Sequence, residues 1–279
     1  MQKKIIITSK SSWFDVGIKE VWLYRDLWSM LIKRDFIAMY KQTIMGPIWY
    51  LVQPVVTIII FSLVFSRIGN ISTKGLPAPI FYLTGLSLWG YFADCVLKVS
   101  SVFRDNQHII GKVYFPRLII PLSIVVSALV KYLIQIFLIV CMIFFYDMDL
   151  NNIELFISKG VALILITLIT CFLGLGFGLI VASISSRYRD FGLLSIIGIQ
   201  LGLYVTPVIY SLGSVPQGMR VFFEFNPMSS LIEAMRWIFL SVSDVDITSV
   251  LLSAGVSLIV LFTGLLLFNQ TQRSVIDTI

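Results

Sequence analysis

The chain has 279 residues, 58% of them hydrophobic and only 13% charged, with a formal net charge of +6. A soluble globule carries roughly 25% charged residues, so this composition excludes a water-covered domain and points to an integral membrane protein with length for one bundle. The basic balance does not indicate nucleic acid, because the cations lie mostly in the N-terminal segment and two short loops, as they do where a polytopic protein sets its orientation.

The opening MQKKIIITSKSSW has an apolar core of only Ile5 to Ile7, short of the roughly 7–15 residues of a signal peptide. The first span is therefore expected to act as the targeting signal. Residues 1–46 read as a polar, basic region containing one helix from near Val16 to Gln42. Its apolar positions form two sets, Leu23, Leu27, Met30 and Leu31, then Ile32, Phe36, Met39 and Tyr40. The Lys33-Arg34-Asp35 cluster marks the changeover, where a bend or a second contact face is expected. Trp22, Tyr24 and Trp28 among basic residues suit an amphipathic helix lying in the membrane interface; a helix packed on a soluble partner is the other reading. Gly46-Pro47 then reads as a turn, with Gly supplying backbone freedom and Pro starting a helix where its missing N–H costs nothing. Pro54 falls inside the next apolar run and is expected to kink it.

Six apolar stretches follow in a membrane domain spanning 47–279, at about 47–65, 80–97, 118–146, 160–184, 191–212 and 250–268. Each reaches the roughly 17–25 residues that cross the hydrocarbon. An even number puts both termini on one side. The N-terminal region, the Lys98–Arg117 loop, the Ser185–Asp190 loop and the C-terminal tail carry most of the Lys and Arg residues. The positive-inside rule makes that side cytoplasmic. Between the last two stretches, Gly218–Asn226 and Met228–Leu240 are too short to span and are expected as a pair of re-entrant helices separated by Pro227. The expected fold class is thus an all-α integral membrane protein: six transmembrane helices, an N-terminal interfacial helix and short re-entrant helices between spans five and six.

Few residues suggest chemistry. No G-x-x-x-x-G-K-[ST] phosphate loop occurs; Gly174 to Gly178 is glycine-rich, but it sits inside a span with no lysine beside it. Gly174/Gly178 and Gly198/Gly202 match the spacing that lets membrane helices approach closely. Asp147/Asp149 and Asp244/Asp246 form D-x-D pairs, more in keeping with helix caps than with a metal site. His108 is the sole histidine, so no histidine-based metal or nucleophile site is expected. Cys95, Cys141 and Cys171 all lie in apolar runs and read as small apolar filler. Asp94 and Lys131 are charges inside spans; they either pair across the bundle or, for Lys131, extend towards an interface or wet cavity. The aromatic residues Trp49, Tyr50, Trp89, Tyr204 and Tyr210 suit an interfacial belt, or a track on which sugar rings lie against flat apolar faces.

The stretch RDFIAMYKQTIMGPIW from Arg34 to Trp49, followed by Gln53-Pro54, resembles the signature of ABC-2-type polysaccharide export permeases, and most of all the O-antigen (lipopolysaccharide) group. Lys112 to Arg117 (KVYFPR), Arg187 to Asp190, Thr206 to Tyr210 (TPVIY) and Asn226-Pro227 resemble further segments of that family in the same order. The resemblance implies a six-span homodimer in the bacterial inner membrane, not itself an enzyme, that works with two copies of a separate ABC ATPase. That ATPase would bind ATP and Mg, leaving this chain without a cofactor. It implies a channel lined by spans one, two and five for an undecaprenyl-diphosphate-linked glycan. It further implies a coupling helix at about Phe103–Val113 that includes Arg104, Asp105, Asn106, Gln107 and His108, with Arg187 and Arg189 as a second ATPase contact. Lys33, Arg34 and Lys41 would meet the lipid pyrophosphate at the inner surface, as basic juxtamembrane groups meet anionic lipid heads. Capsule, teichoic-acid or small-molecule ABC-2 exporters are the neighbouring alternatives. An ion-coupled carrier using Asp94 and Lys131 is the rival from a different class.

Overall fold

The computed structural model describes residues 18–41, 46–107, 115–146, 153–241 and 246–276. Among these residues no β-strand occurs. The helices are α1 (Ile18–Leu23), α2 (Arg25–Tyr40), α3 (Trp49–Phe61), α4 (Ala78–Ser100), α5 (Val102–Asp105), α6 (Ile119–Phe145), α7 (Ile153–Ser185), α8 (Asp190–Val205), α9 (Gln217–Glu224), α10 (Pro227–Leu240) and α11 (Ile247–Ile276).

The N-terminal helix breaks at Tyr24, not at the expected Lys33-Arg34-Asp35 changeover. The Tyr24 N–H is shared between the carbonyls of Glu20 and Val21, both at 3.2 Å, and its φ and ψ of −98° and 25° leave the helical well. Beyond it α2 runs unbroken through Arg34. It lays Leu27, Trp28 and Leu31 on the core, against α6, while Phe36 and Ile37 stay exposed. Only part of the first stripe, Leu27 and Leu31, packs on the bundle, while Leu23 and Met30 stay exposed with Phe36.

Gly46 adopts φ +52°, the left-handed region that L-residues avoid, and a single 3₁₀ turn, Gly46–Ile48, delivers the chain into α3. The helix runs on through the buried Pro54. It then widens into a π-helical stretch, Ser62–Ile68. There the Gly69 N–H donates to the Val64 carbonyl at 2.8 Å.

Among the described residues, five helices are long and apolar enough to cross a membrane: Trp49–Ile68, Ala78–Ser100, Ile119–Phe145, Lys159–Ser185 and Ile247–Gln272. The fifth apolar stretch, 191–212, gives a shorter helix than the sequence suggests. Helix α8 has 16 residues and ends at Val205, about 24 Å against a hydrocarbon thickness of about 30 Å. The cause is Pro207. The residue before a proline is pushed out of the helical region, and Thr206 accordingly has ψ 143°. Residues 206–211 continue as turns and irregular backbone.

Helix α4 is the axis of the bundle, touching α3, α6, α7, α8 and α10. The tightest approaches run through glycine. A Cβ on Gly174 would lie 2.8 Å from the Cβ of Cys95, and one on Gly178 would lie 2.6 Å from the Cβ of Val99, so this pair faces α4. Gly176 faces the opposite way, where a Cβ would lie 2.6 Å from the backbone nitrogen of Leu261 in α11. Lipid is as apolar as leucine, so helix contact in a membrane depends on packing and small residues more than on hydrophobicity. The glycines of α7 supply this on two faces at once.

Candidate functional site

At one end of the bundle, the two short helices form as expected, with Asn226 between them. The Asn226 Oδ1 accepts from the Met228 N–H at 3.0 Å and caps α10. Its Nδ2 donates to Thr206 Oγ1 at 2.9 Å, which joins the TPVIY and Asn226-Pro227 segments physically. Helix α10 is buried against α4, α7 and α11. Helix α9 presents Met219, Phe222 and Phe225 outward.

Irregular backbone at membrane depth needs internal partners for its polar groups. Here Arg236 of α10 provides them. Its Nη2 donates to the Val208 carbonyl at 2.7 Å. Its Nη1 donates to the Tyr210 carbonyl at 3.2 Å and to Glu233 Oε1 at 3.0 Å. The same Glu233 oxygen accepts from the Leu212 N–H at 3.2 Å. The guanidinium also lies 3.8 Å from the centroid of the Phe81 ring in α4. Gly85 makes room, since a Cβ there would lie 3.1 Å from the Val208 carbonyl oxygen. Burial pulls the Arg236 pKa down to about 10, against the upward pull of the Glu233 carboxylate, so the group stays cationic at neutral pH. Sequence patterning alone does not disclose this clamp. Its one local trace is an acid and a base three residues apart within an apolar helix.

At mid-bundle, Lys131 Nζ of α6 donates to Asp94 Oδ2 of α4 at 3.0 Å. The two intramembrane charges pair with each other, and Lys131 does not extend along its own helix.

At the opposite end of α4, α5 follows almost directly. Phe103 stacks on Phe268 of α11 with centroids 4.9 Å apart, and the Arg117 Nη1 donates to the Gln272 carbonyl. Ser185 Oγ, at the end of α7, donates to the Ser100 carbonyl at 3.3 Å. Arg104 and Asp105 project outward as a 3.1 Å pair and Gln107 is exposed, whereas Asn106 turns inward and donates to the Val102 carbonyl at 3.1 Å. Arg187 and Arg189 stand exposed on the α7–α8 turn. His108 and the rest of the expected coupling helix lie outside the described residues.

The aromatic set is divided. Trp89 is buried, its ring tilted against Phe92 with centroids 5.4 Å apart and a ring edge 2.9 Å from where a Gly202 Cβ would sit. Trp49 and Tyr204 are exposed, and Tyr50 is half-buried. Tyr210 is half-buried; its hydroxyl donates to the Tyr204 carbonyl at 2.9 Å and its ring meets Phe223 edge-on. Lys33, Arg34 and Lys41 are exposed on or next to α2, with Arg34 spent on Asp35 at 2.9 Å. Of the D-x-D residues, Asp246 is described. It caps α11, accepting from the Thr248 N–H at 3.0 Å and from Ser249 Oγ at 2.6 Å. Among the described residues no three His, Cys, Asp or Glu side chains gather as a metal site.

This organisation has a match among known families. The model of the ABC-2 type transporter family aligns with residues 26–240. The chain belongs to the ABC-2 type transporter family. That stretch includes the turn at Gly46, the ion pair, the inner α5 handle and the Arg236 clamp. The chain is also similar to two proteins named O-antigen export system permease protein RfbA. The relative from Klebsiella pneumoniae is 27% identical over 248 residues, covering 88% of this chain and 92% of the relative. The relative from Myxococcus xanthus is 24% identical over 264 residues, covering 94% and 98%. As an ABC-2 transporter chain, this is a multi-pass membrane protein of the permease type.

Proposed function

We propose that this chain is the membrane subunit of an ATP-driven polysaccharide exporter of the O-antigen type. It would move an undecaprenyl-diphosphate-linked glycan across the bacterial inner membrane, with both termini cytoplasmic. The reading is carried by its similarity, over most of both chains, to permeases named for O-antigen export. A homodimer with two copies of a separate ABC ATPase is the working unit, and that ATPase binds ATP and Mg.

The inner end supports a mechanical role. The exposed Arg104 and Asp105 sit on α5, whose Phe103 stacks on α11 and which follows directly from the central helix α4. A push on this handle is therefore delivered to the axis of the bundle and to α11 together, as a shift of packed rigid elements. The basic Lys33, Arg34 and Lys41 receive the anionic lipid head, and the exposed Trp49 and Tyr204 lie along the route of the sugars.

The test uses the intact transporter in its native membrane. Arg104→Cys and Gln107→Cys are expected to crosslink to the ATPase subunit, and loss of that subunit is expected to trap lipid-linked glycan on the cytoplasmic leaflet. Absence of crosslinks at both positions overturns the coupling assignment. Unchanged glycan export without this chain overturns the function.

A further inference from the structure

Helix α4 is buried except along one stripe. Leu86, Gly90, Asp94 and Lys98 recur every four residues, with Ala93 and Leu97 beside them, and all are only partly buried. The stripe continues past Ser101 to the exposed Arg104 and Asp105 on α5. It is open to its surroundings at the middle, because a Cβ on Gly90 would meet no heavy atom within 4 Å. On this stripe sits the Asp94–Lys131 pair, with side chains 23% and 21% exposed. Among the described residues the pair has no hydrogen-bond partner beyond its own 3.0 Å contact. The second carboxylate oxygen and the remaining ammonium N–H groups are thus left to whatever fills the open side.

Hydrocarbon is a poor filling. Charged groups within spans face a bundle interior or a water-filled cavity, and an unmet polar atom at membrane depth is strongly unfavourable. Asp94 lies about 9 Å along α4 from its inner end, by the rise per residue of a helix. The pair therefore stands well inside the inner half of the span. We propose that the Leu86–Lys98 stripe is a wetted wall of the transport path, and that the Asp94–Lys131 pair is a polar station on it for a neutral, hydroxyl-rich chain. The ligand class rests on the exporter reading; the wetting does not. The chemistry favours hydroxyls over phosphate. A free carboxylate oxygen accepts from a hydroxyl and a free ammonium N–H donates to one, whereas an anion drawn to Lys131 would meet the charge of Asp94.

The test is thiol labelling in native membranes. Cys95, Cys141 and Cys171 are first replaced by Ala, and transport by this background is verified. Single cysteines are then placed as Gly90→Cys on the stripe and as Leu133→Cys and Phe137→Cys on the exposed outer face of α6. A charged, membrane-impermeant methanethiosulfonate reacts with the thiolate, which forms only where water reaches. Labelling of Gly90→Cys at least about tenfold faster than either control is expected from that dependence. Equal rates at all three sites, or silence at Gly90→Cys, overturn the wetted wall.

The ligand class has its own readout. Maltoheptaose, a neutral polyol, is expected to slow labelling of Gly90→Cys, and inorganic pyrophosphate is not. With Asp94→Asn and Lys131→Gln added, the protection by maltoheptaose is expected to disappear. Protection by pyrophosphate alone, or by neither compound, overturns the polar station while leaving the wetted wall standing. Fast labelling in a chain whose loss leaves glycan export unchanged would separate the wetted wall from the exporter reading.

Discussion

Helices α3 and α4 both satisfy the length and apolarity of a membrane span, yet their surroundings are opposite. In the most apolar window of α4, 72% of residues are buried inside the protein; in the corresponding window of α3 and its π-helical extension, 11% are. The more buried helix is the less apolar of the two. In water the reverse would hold, because burial follows hydrophobicity. In a bilayer an isoleucine gains little by leaving lipid for protein, so position is decided by close packing and by polar groups that need partners. Helix α4 carries Thr84, Ser87 and Gly85, meets two glycines of α7, and lies against the Arg236 clamp. Helix α3 turns Val55, Val56, Ile59 and Ile60 outward and keeps little besides Pro54 and Ile58 within.

The largest test of this contrast is Arg236→Met. It preserves volume on α10 but removes the cation beside Glu233 and the donor to the Val208 and Tyr210 carbonyls. Removing one partner of a buried, hydrogen-bonded charge pair costs about 3–5 kcal/mol. Thermal unfolding in detergent is expected to show a large loss for Arg236→Met and almost none for Ile59→Met on the outer face of α3. Comparable losses would mean that the polar clamp does not hold the centre.

The glycines of α7 and α8 sharpen the comparison, because they differ in what surrounds them. Gly176→Ala would drive a Cβ to 2.6 Å from backbone in α11, whereas Gly198→Ala meets nothing within 4 Å. Overpacking of this kind costs about 1–3 kcal/mol, while an open site is expected to change stability by less than about 0.5 kcal/mol. The ranking Gly176→Ala below Gly198→Ala in melting temperature checks it. Next in size is Asp94→Asn, which strands Lys131. The pair is partly open, so the expected loss is about 1–2 kcal/mol, between an exposed pair and a sealed one. The double variant Asp94→Lys with Lys131→Asp is expected to recover most of that loss in the same melting assay; no recovery would deny the pair its stabilising part.

The same contrast explains what the sequence made legible. Apolar run lengths and charge asymmetry are local properties, and they sufficed for an all-α membrane protein and for the short outer helices split at Pro227. The turn at Gly46 was legible because that residue does its work within a few residues. The early end of α8 was legible in principle from Pro207, but the apolar run through Ile209 masked it. The Arg236 clamp and the burial of Trp89 were not legible, since each depends on contacts between segments far apart in sequence. The Asp94–Lys131 pairing was readable only as one of two options, because no local rule states which helices are neighbours.

The smallest expected effect is at the start of α11, where the comparison passes from buried polar groups to an exposed one. The Ser249 hydroxyl and then the Thr248 N–H hold the Asp246 carboxyl below its ordinary pKa. A group with a depressed folded pKa stabilises the fold fully above its unfolded value, and the contribution fades as pH falls through the folded one. Removing the cap by Asp246→Ala should therefore lower the melting temperature slightly at neutral pH, and the gap to the native chain should narrow below about pH 4, the ordinary carboxylate range. Arg236 sets the contrast, since its own charge persists throughout that interval. A gap for Asp246→Ala that stays constant across that interval would assign the cap to shape and hydrogen bonding without charge.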